Sequence, residues 1–278
     1  MIETSCPIRK PTIAFLASPA LRKPGGTAYE FIARHREKLQ GYRIITTGGV
    51  GRDLFEQGPG LGLTVHTYLP SDQGGLVQIT RDIVKKECQV VVNLADTNKP
   101  QSMFSWESNN AIFNQALNFN IEMIVNPHSA DLWISGQTGV AEQQKETVAL
   151  IAHSEANDRK PKDEITALAA EFGPEFARFQ RIVCTGSTGK YLATQVPAIR
   201  DKIVAYESGM SGGDDEISAE MVEDRCQHVI FLINPKWAQP HQQAVFVFND
   251  IARKKDINIM FTDHSARRWA GALRQQLG

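Results

Sequence analysis

The sequence predicts an α/β protein made of two three-layer (αβα) domains, each with a mainly parallel sheet between helices. Short apolar runs alternate along the chain with segments of helical spacing, the pattern of parallel sheets covered by helices on both faces. The 278 residues are enough for two domains of common size. A set of glycines, strands and loops also recurs in the same order in the second half.

The first half supplies five predicted strands and three predicted helices. Apolar or alternating runs predict the strands at residues 11–18, 42–46, 63–69, 89–94 and 121–125. Apolar residues at helical spacing predict the helices at residues 27–39, 76–86 and 110–118. Glycine-rich or polar stretches predict loops at residues 47–51, 58–62 and 96–100.

The second half repeats this layout at a nearly constant distance. Gly212-Gly213 lies 138 positions after Gly74-Gly75, and the run Arg181-Ile-Val-Cys-Thr-Gly-Ser-Thr-Gly189 lies 138 positions after a similar run that begins at Arg43. His264-Ser-Ala266 follows its counterpart by 136 positions. This register indicates an internal duplication. We expect domains at residues 10–136 and 146–278, joined by a linker at about residues 135–146 that is rich in Gly, Gln and Glu.

A loop of glycines and hydroxyls follows the apolar run that begins at Arg181. Its residues are Thr185, Gly186, Ser187, Thr188 and Gly189. Glycines allow a tight turn that presents backbone N–H groups, and hydroxyls add donors, so the loop suits a phosphate. An ordinary turn with a Ser or Thr helix cap is the competing interpretation.

Composition excludes several classes of protein. A net charge of −1 gives no support for a nucleic-acid partner or an anionic membrane. The 42% of apolar residues exclude a disordered chain, and no apolar run is long enough to span a bilayer. The four cysteines lie far apart, which indicates reduced thiols. No metal-ligand spacing is found, so no metal is expected, and a cytoplasmic location is the default.

On these motifs the chain resembles the methylglyoxal synthase-like domain family, present as a tandem pair. The similar stretches are Val148–His153, Thr185–Gly189, Ser208-Gly-Met-Ser-Gly-Gly-Asp214 and Phe231-Leu-Ile-Asn-Pro235 with His241 after it. The resemblance implies a phosphate loop at the carboxyl ends of the strands, where open α/β sheets bind ligands. Family members include synthases that eliminate phosphate from dihydroxyacetone phosphate and regulatory domains that bind phosphorylated metabolites, so fold alone does not name the function.

The resemblance also assigns roles in the second half. Asp214 matches the base that takes a proton from the carbon beside the carbonyl, and His153 and His241 match the family's histidine partners. The phosphate would be held by residues 185–189 together with Ser208 and Gly209. A helix cap is the competing role for Asp214, if the helix begins near Glu216.

The second half departs from the synthase pattern at three positions. Asn234 stands where synthases have a carboxylate, and Ser154 and Ala244 replace two further acidic residues. An amide cannot carry the charge of a carboxylate, so orientation of a histidine would weaken. The C-terminal arginine that contacts phosphate has no clear match, although Arg267 or Arg268 could substitute for it.

The first half lacks the groups needed for turnover. Leu76 occupies the position of the base, Ser18 replaces the histidine, and the loop at residues 47–51 has lost two hydroxyls. It keeps Asp96 where the second half has Asn234. We interpret the first half as non-catalytic, either structural or with a residual anion site.

The leading hypothesis is a methylglyoxal synthase-like lyase that acts through its second half on dihydroxyacetone phosphate or a similar phosphorylated carbonyl. No organic cofactor is needed, because the substrate's own carbonyl accepts the electrons. The alternatives are a non-catalytic protein that binds a phosphorylated metabolite, and an assembly protein. By analogy with the family, a homo-oligomer is expected.

Overall fold

Two five-stranded parallel sheets, each flanked by helices, form the protein, which confirms the predicted α/β class. A computed structural model describes residues 10–96, 103–152, 161–233 and 242–277. The strand order is β3-β2-β1-β4-β5 in the first sheet and β10-β9-β6-β7-β8 in the second. Every strand pair is parallel.

The strands and helices of the first domain alternate. Its strands are β1 (Thr12–Ala17), β2 (Arg43–Thr46), β3 (Val65–Thr67), β4 (Val90–Leu94) and β5 (Glu122–Ile124). Its helices are α1 (Thr27–Leu39), α2 (Gly48–Val50), α3 (Gly75–Val84), α4 (Met103–Asn118) and α5 (Pro127–Ser135). A turn of π-helix at Gly51–Glu56 extends α2.

The second domain has the same layout. Its strands are β6 (Thr147–Ala152), β7 (Arg181–Cys184), β8 (Ile203–Ala205), β9 (His228–Leu232) and β10 (Asn258–Met260). Its helices are α6 (Pro161–Glu171), α7 (Gly173–Phe176), α8 (Gly186–Gln195), α9 (Gly213–Val222), α10 (Gln242–Lys255) and α11 (Asp263–Leu277).

The five strands and three helices expected in the first half are present, with three differences. The expected loop at residues 47–51 is helical, because Thr47 is extended and the chain turns into α2 after it. The helix expected at 110–118 begins earlier, at Met103. Helix α5 was missed; Pro127 at its start and Asn126 as its cap, with Oδ1 accepting from the Ser129 N–H at 2.7 Å, mark its beginning.

Strands β1 and β6 are buried along their whole length because each lies in the middle of its sheet with helices on both faces. Such strands are continuous apolar runs rather than alternating ones. The short strands β3 and β8 lie at sheet edges and are more exposed. The runs most apolar in sequence are therefore the centres of the sheets.

The two domains pack against each other through apolar and polar contacts. One cluster of buried side chains includes residues of both sheets, and the rings of Phe113 and Phe261 meet edge to face at 5.1 Å. The Asn126 amide donates to the carbonyls of Ala252 and Ile257, each at 2.9 Å. Because a buried amide must form its hydrogen bonds, these two bonds fix the position of the segment after β5 relative to the segment before β10.

A buried ion pair crosses the same interface. Arg268 of α11 donates through Nε to both carboxylate oxygens of Glu122, at 2.9 and 3.0 Å. The Glu122 side chain is 4% exposed, so the guanidinium supplies the charge and hydrogen bonds that make its burial possible.

Glu146 ties the segment before β6 to the buried His228 of β9. Its Oε2 lies 2.8 Å from His228 Nε2, and its Oε1 accepts from the N–H groups of Ala141 and Glu142 at 2.9 Å. Burial alone would raise the pKa of Glu146, but the bonds from His228 and from these N–H groups outweigh it and lower the pKa to about 2.

Replacing Glu146 by Gln should lower the free energy of unfolding at pH 7 by about 1–3 kcal/mol, because a charge-assisted bond to a buried histidine is lost. The carboxylate stabilises the fold fully above pH 4.5, its pKa in the unfolded chain, and this contribution is lost as the pH falls towards 2. Urea unfolding at pH 7, 4 and 3 should therefore show the difference between the two proteins shrinking with acidity.

Glu142→Gln is the matched control for this experiment. Its carboxylate is 61% exposed and pairs with the exposed Lys145, so its loss should change stability by less than about 0.5 kcal/mol. A difference between wild type and Glu146→Gln that stays constant from pH 7 to pH 3 would contradict the assignment.

Candidate active site

The glycine–hydroxyl loop lies at the carboxyl end of β7. The strand ends at Cys184, Thr185 is extended, and α8 begins at Gly186. The loop is therefore also the first turn of a ten-residue helix, and the first N–H groups of an α-helix have no acceptor within the helix. Of these, Gly186 N–H donates to the carbonyl of Glu207 at 2.8 Å. The N–H groups of Ser187 and Thr188 belong to the same first turn, where a helix carries partial positive charge.

Two of the three hydroxyls in this loop form hydrogen bonds within the protein that stabilise the conformation of the loop. Thr185 and Thr188 are buried; Thr185 Oγ1 donates to Thr188 Oγ1 at 3.2 Å, and Thr188 Oγ1 donates to the carbonyl of Ala152 at 3.3 Å. These bonds connect the loop to the end of β6. Ser187 is exposed, so its hydroxyl is the one directed towards solvent or a ligand.

The second loop, residues 206–213, is held against the first by close backbone contact. Within the second loop itself, Gly213 N–H donates to the Ser208 carbonyl at 3.0 Å. A methyl group on Gly186 would lie 2.7 Å from the Tyr206 carbonyl oxygen, and one on Gly213 would lie 2.0 Å from the Glu207 carbonyl oxygen. Only glycine permits both approaches. Gly212, with φ +100°, makes the turn into α9.

Asp214 is the second residue of α9 and is buried, with 6% of its surface exposed. The helix begins at Gly213 rather than near Glu216, and its N-cap is Gly212, so the interpretation of Asp214 as the cap is wrong. The carboxylate lies over Gly209: a methyl group on that glycine would be 2.9 Å from Asp214 Oδ2. Gly209 thus leaves room for the carboxylate on the side of the second loop.

Ser208 positions this loop through its own bonds. Its hydroxyl donates to Ser211 Oγ at 2.8 Å, and its carbonyl accepts from Ser211 N–H at 2.8 Å as well as from Gly213. The structure therefore brings together the carboxyl ends of β6 and β7, the glycine–hydroxyl loop, Gly209 and Asp214.

Several expected residues lie outside the part of the chain that the structure describes. These are His153, His241, Ser154 and Asn234. Ala244 packs against the core cluster shared by the two domains.

Neither C-terminal arginine is available as a substitute phosphate ligand. Arg267 pairs with Asp263 at 2.8 Å and with Glu171, and Arg268 is held by Glu122 in the domain interface. Both guanidinium groups are thus committed to carboxylates of the protein.

Cys184, just before the loop, is a free and fully buried thiol. Burial raises its pKa to about 12, so it stays protonated and unreactive. Cys88 and Cys226 are also free and buried, as expected for reduced thiols. Within residues 10–96, 103–152, 161–233 and 242–277, no group of three His, Cys, Asp or Glu side chains is arranged to hold a metal ion. No helix in those ranges is long and apolar enough to cross a membrane.

The first domain has the same framework with different side chains. Gly48 N–H donates to the Leu69 carbonyl at 3.2 Å, Gly74 has φ +98°, and Gly75 begins α3. Leu76 is therefore the second residue of α3, the place that Asp214 has in α9, and it is buried. Ser18 Oγ accepts from the N–H of Asp96 at 2.9 Å.

One charged residue at this edge was missed from the sequence. Arg22 follows β1 by five positions and is partly buried beside Ala17, whose carbonyl accepts from Arg22 Nε at 2.7 Å. Its position soon after a strand end was the available signal, but burial depends on how the chain folds back over it.

A parallel sheet with a glycine–hydroxyl loop and a buried carboxylate at its carboxyl edge places the protein among the open α/β proteins, in which that edge is the usual position of a ligand site. The methylglyoxal synthase of Burkholderia lata is 44% identical over 101 residues, which cover 36% of this chain and 71% of that protein. The methylglyoxal synthase of Burkholderia multivorans is 42% identical over the same shares of each chain. The chain therefore belongs to the methylglyoxal synthase family.

Other comparisons are weaker. The crystal structure of methylglyoxal synthase from Elizabethkingia anophelis aligns with 44% of this chain and 74% of its own, with a TM-score of 0.37 and 20% identity. No family model matches the chain.

Gly186→Ala should destabilise the protein by about 1–3 kcal/mol, because the new methyl group would meet a backbone carbonyl that cannot move away cheaply. Gly271→Ala in α11 is the matched control. A methyl group there meets nothing within 4 Å, so the change should be neutral or stabilise by up to about 1 kcal/mol. Urea unfolding of both variants checks this; equal stability of the two would contradict the close contact.

Proposed function

We propose that the protein is a lyase of the methylglyoxal synthase type whose second domain eliminates phosphate from dihydroxyacetone phosphate or a similar phosphorylated carbonyl. The observation that carries the proposal is the buried carboxylate of Asp214 at the start of α9, beside Gly209 of the second loop, which is itself hydrogen-bonded to the glycine–hydroxyl loop. A shielded carboxylate beside an anion-binding loop suits proton abstraction from a phosphorylated carbonyl.

In this proposal the phosphate binds at the start of α8. The N–H groups of Ser187 and Thr188 and the exposed Ser187 hydroxyl are its donors, while Thr185 and Thr188 keep the loop in shape through their mutual hydrogen bond. The partial positive charge of a helix N-terminus favours a dianion at this place. Gly189 allows α8 to pack closely on β8, since a methyl group there would lie 2.7 Å from Ala205 Cβ.

Asp214 then takes a proton from the hydroxymethyl carbon of the substrate. The electron pair moves into the carbonyl and gives an ene-diolate, whose oxygens need donors. We assign this role to His153, next in sequence after Ala152, and to His241. The ene-diolate expels phosphate, which leaves with the electron pair of the broken carbon–oxygen bond, and the resulting enol rearranges to methylglyoxal.

We further propose that residues 10–136 and 146–278 are copies of one ancestral domain. Hydrogen bonds that recur in both halves support this. Gln89 and Gln227, 138 positions apart, accept through Oε1 from the N–H groups of Thr12 and Thr147, 135 positions apart, at 2.7 and 3.0 Å. Tyr68 and Tyr206 likewise bond to Asp82 and Glu220. Leu76 at the place of Asp214 leaves the first copy without a base.

A second candidate is a non-catalytic protein that binds a phosphorylated metabolite. It is favoured by Ala244, an apolar residue packed against the core where the synthases carry an acidic one, and by the sequence changes at Ser154 and Asn234. A cytoplasmic location and assembly into a homo-oligomer remain predictions under either function.

Asp214→Asn should abolish formation of methylglyoxal from dihydroxyacetone phosphate, because an amide cannot accept the proton. Phosphate binding should persist, since the donors at α8 are unchanged. The assay measures methylglyoxal and released phosphate in parallel.

Asp215→Asn is the matched control, because this neighbouring carboxylate is exposed, and it should keep wild-type turnover. Product formed equally by the Asp214 variant would remove that residue from its role. A wild-type chain that binds phosphate without forming product would favour the second candidate.

Gly209→Ala should lower kcat by about tenfold or more while changing the melting temperature little. The added methyl group would lie 2.9 Å from Asp214 Oδ2 and displace a carboxylate side chain rather than backbone. Steady-state kinetics and thermal unfolding measure the two effects. Wild-type kcat in this variant would show that the carboxylate does not need its place over Gly209.

A further inference from the structure

The first domain contains a cavity of ≈ 200 Å³ at the carboxyl ends of its strands. The polar residues of its wall are one cation, three hydroxyl residues and one amide: Arg22, Ser18, Thr47, Ser71 and Asn93. Leu76 is among its apolar residues. The cavity lies at the carboxyl edge of the first sheet, the edge that corresponds to the position of the glycine–hydroxyl loop on the second sheet. The proposed lyase activity does not use it.

Arg22 brings a positive charge that the protein only partly neutralises. Its side chain is 11% exposed, and its Nη1 lies 3.4 Å from Asp53 Oδ2, a long distance for an ion pair. Asp53 also accepts from Arg52 Nε at 2.9 Å, so two guanidinium groups share this carboxylate. Asp96 follows β4 at the same edge but is not part of the cavity wall. A partly buried cation whose charge is only partly neutralised stabilises an anion bound beside it.

The surroundings of Arg22 leave donors facing the cavity. A methyl group on Gly49 would lie 2.7 Å from Arg22 Nη1, so that glycine makes room for the guanidinium. Ser18 Oγ accepts from Asp96 N–H, and the hydroxyl still has its own proton to donate. Thr47 is 2% exposed, and its side chain does not cap α2. One guanidinium and hydroxyls on separate segments match the oxygens of a tetrahedral oxyanion.

We propose that this cavity is a second anion site, which binds inorganic phosphate or a small phosphate monoester without converting it. Leu76 stands where Asp214 stands in the second domain, and the described residues of the cavity wall include no carboxylate that could take a proton from a bound ester. The volume limits the ligand to a phosphate carrying a short carbon chain. The site does not depend on turnover in the second domain.

The test titrates the full chain with inorganic phosphate by calorimetry at constant ionic strength, in a Ser187→Asp background that adds a carboxylate to the second-domain loop. One phosphate should bind, and Arg22→Gln should weaken it by about tenfold or more. Lys23→Gln, which removes the exposed neighbouring cation, should change the affinity less than about twofold. Because the second-domain loop is blocked throughout, failure of the proposed lyase activity would not alter this result.

Two results would overturn the proposal: no phosphate bound in that background, or an Arg22→Gln protein that melts at a lower temperature but binds phosphate as before. If Arg22→Gln does not fold, the Arg Nε–H signals of the ¹⁵N-labelled Ser187→Asp chain replace it, with Arg22 identified through Arg22→Lys. Phosphate should shift the Arg22 signal, and an unmoved signal would refute the site. A parallel titration with glycerol phosphate distinguishes an ester from free phosphate as the tighter ligand.

Discussion

The clamping of residues 206–208 between two glycines is the constraint on which the candidate active site depends. Gly186 lies too close to the Tyr206 carbonyl, and Gly213 too close to the Glu207 carbonyl, to carry a side chain. The N–H groups of these two glycines donate to the carbonyls of Glu207 and Ser208, respectively. Two loops that follow different strands thereby become one rigid unit. The start of α8 and the start of α9 cannot move apart without breaking these bonds, so an anion held by one lies at a fixed distance from a carboxylate carried by the other.

The first domain repeats one of these two glycine contacts, with different chemistry beside it. Gly75 is pressed on the Leu69 carbonyl as Gly213 is on Glu207, yet the next residue is Leu76 instead of Asp214. Backbone geometry and proton transfer are thus separable: the glycines set where the side chain stands, and the side chain alone decides whether a base is present. A cation such as Arg22 can then be retained in a domain that carries leucine at the place of the carboxylate.

Local features of this fold are predictable from sequence, and long-range ones are not. Helix α1 has the bounds Thr27–Leu39 that its apolar spacing predicts, because its buried face follows the helical period. The grouping of residues 185–189 with Ser208 and Gly209 was implied by the family resemblance. By contrast, the bond from Asn126 to Ile257 joins residues 131 positions apart, and the burial of Arg22 depends on the chain that folds over it. Periodicity carries no signal for either, since both arise only when elements pack.

The two domains meet through the shared core around Phe113 and Phe261 and the bonds of Asn126 across it. Because both domains belong to one chain, this pairing depends on protein concentration differently from a pairing between separate chains. Two domains on separate chains associate by mass action and come apart on dilution. Within one chain each domain meets the other at an effective concentration fixed by the short connection between them. Their pairing therefore persists at any expression level, and every second domain carries with it one copy of the first.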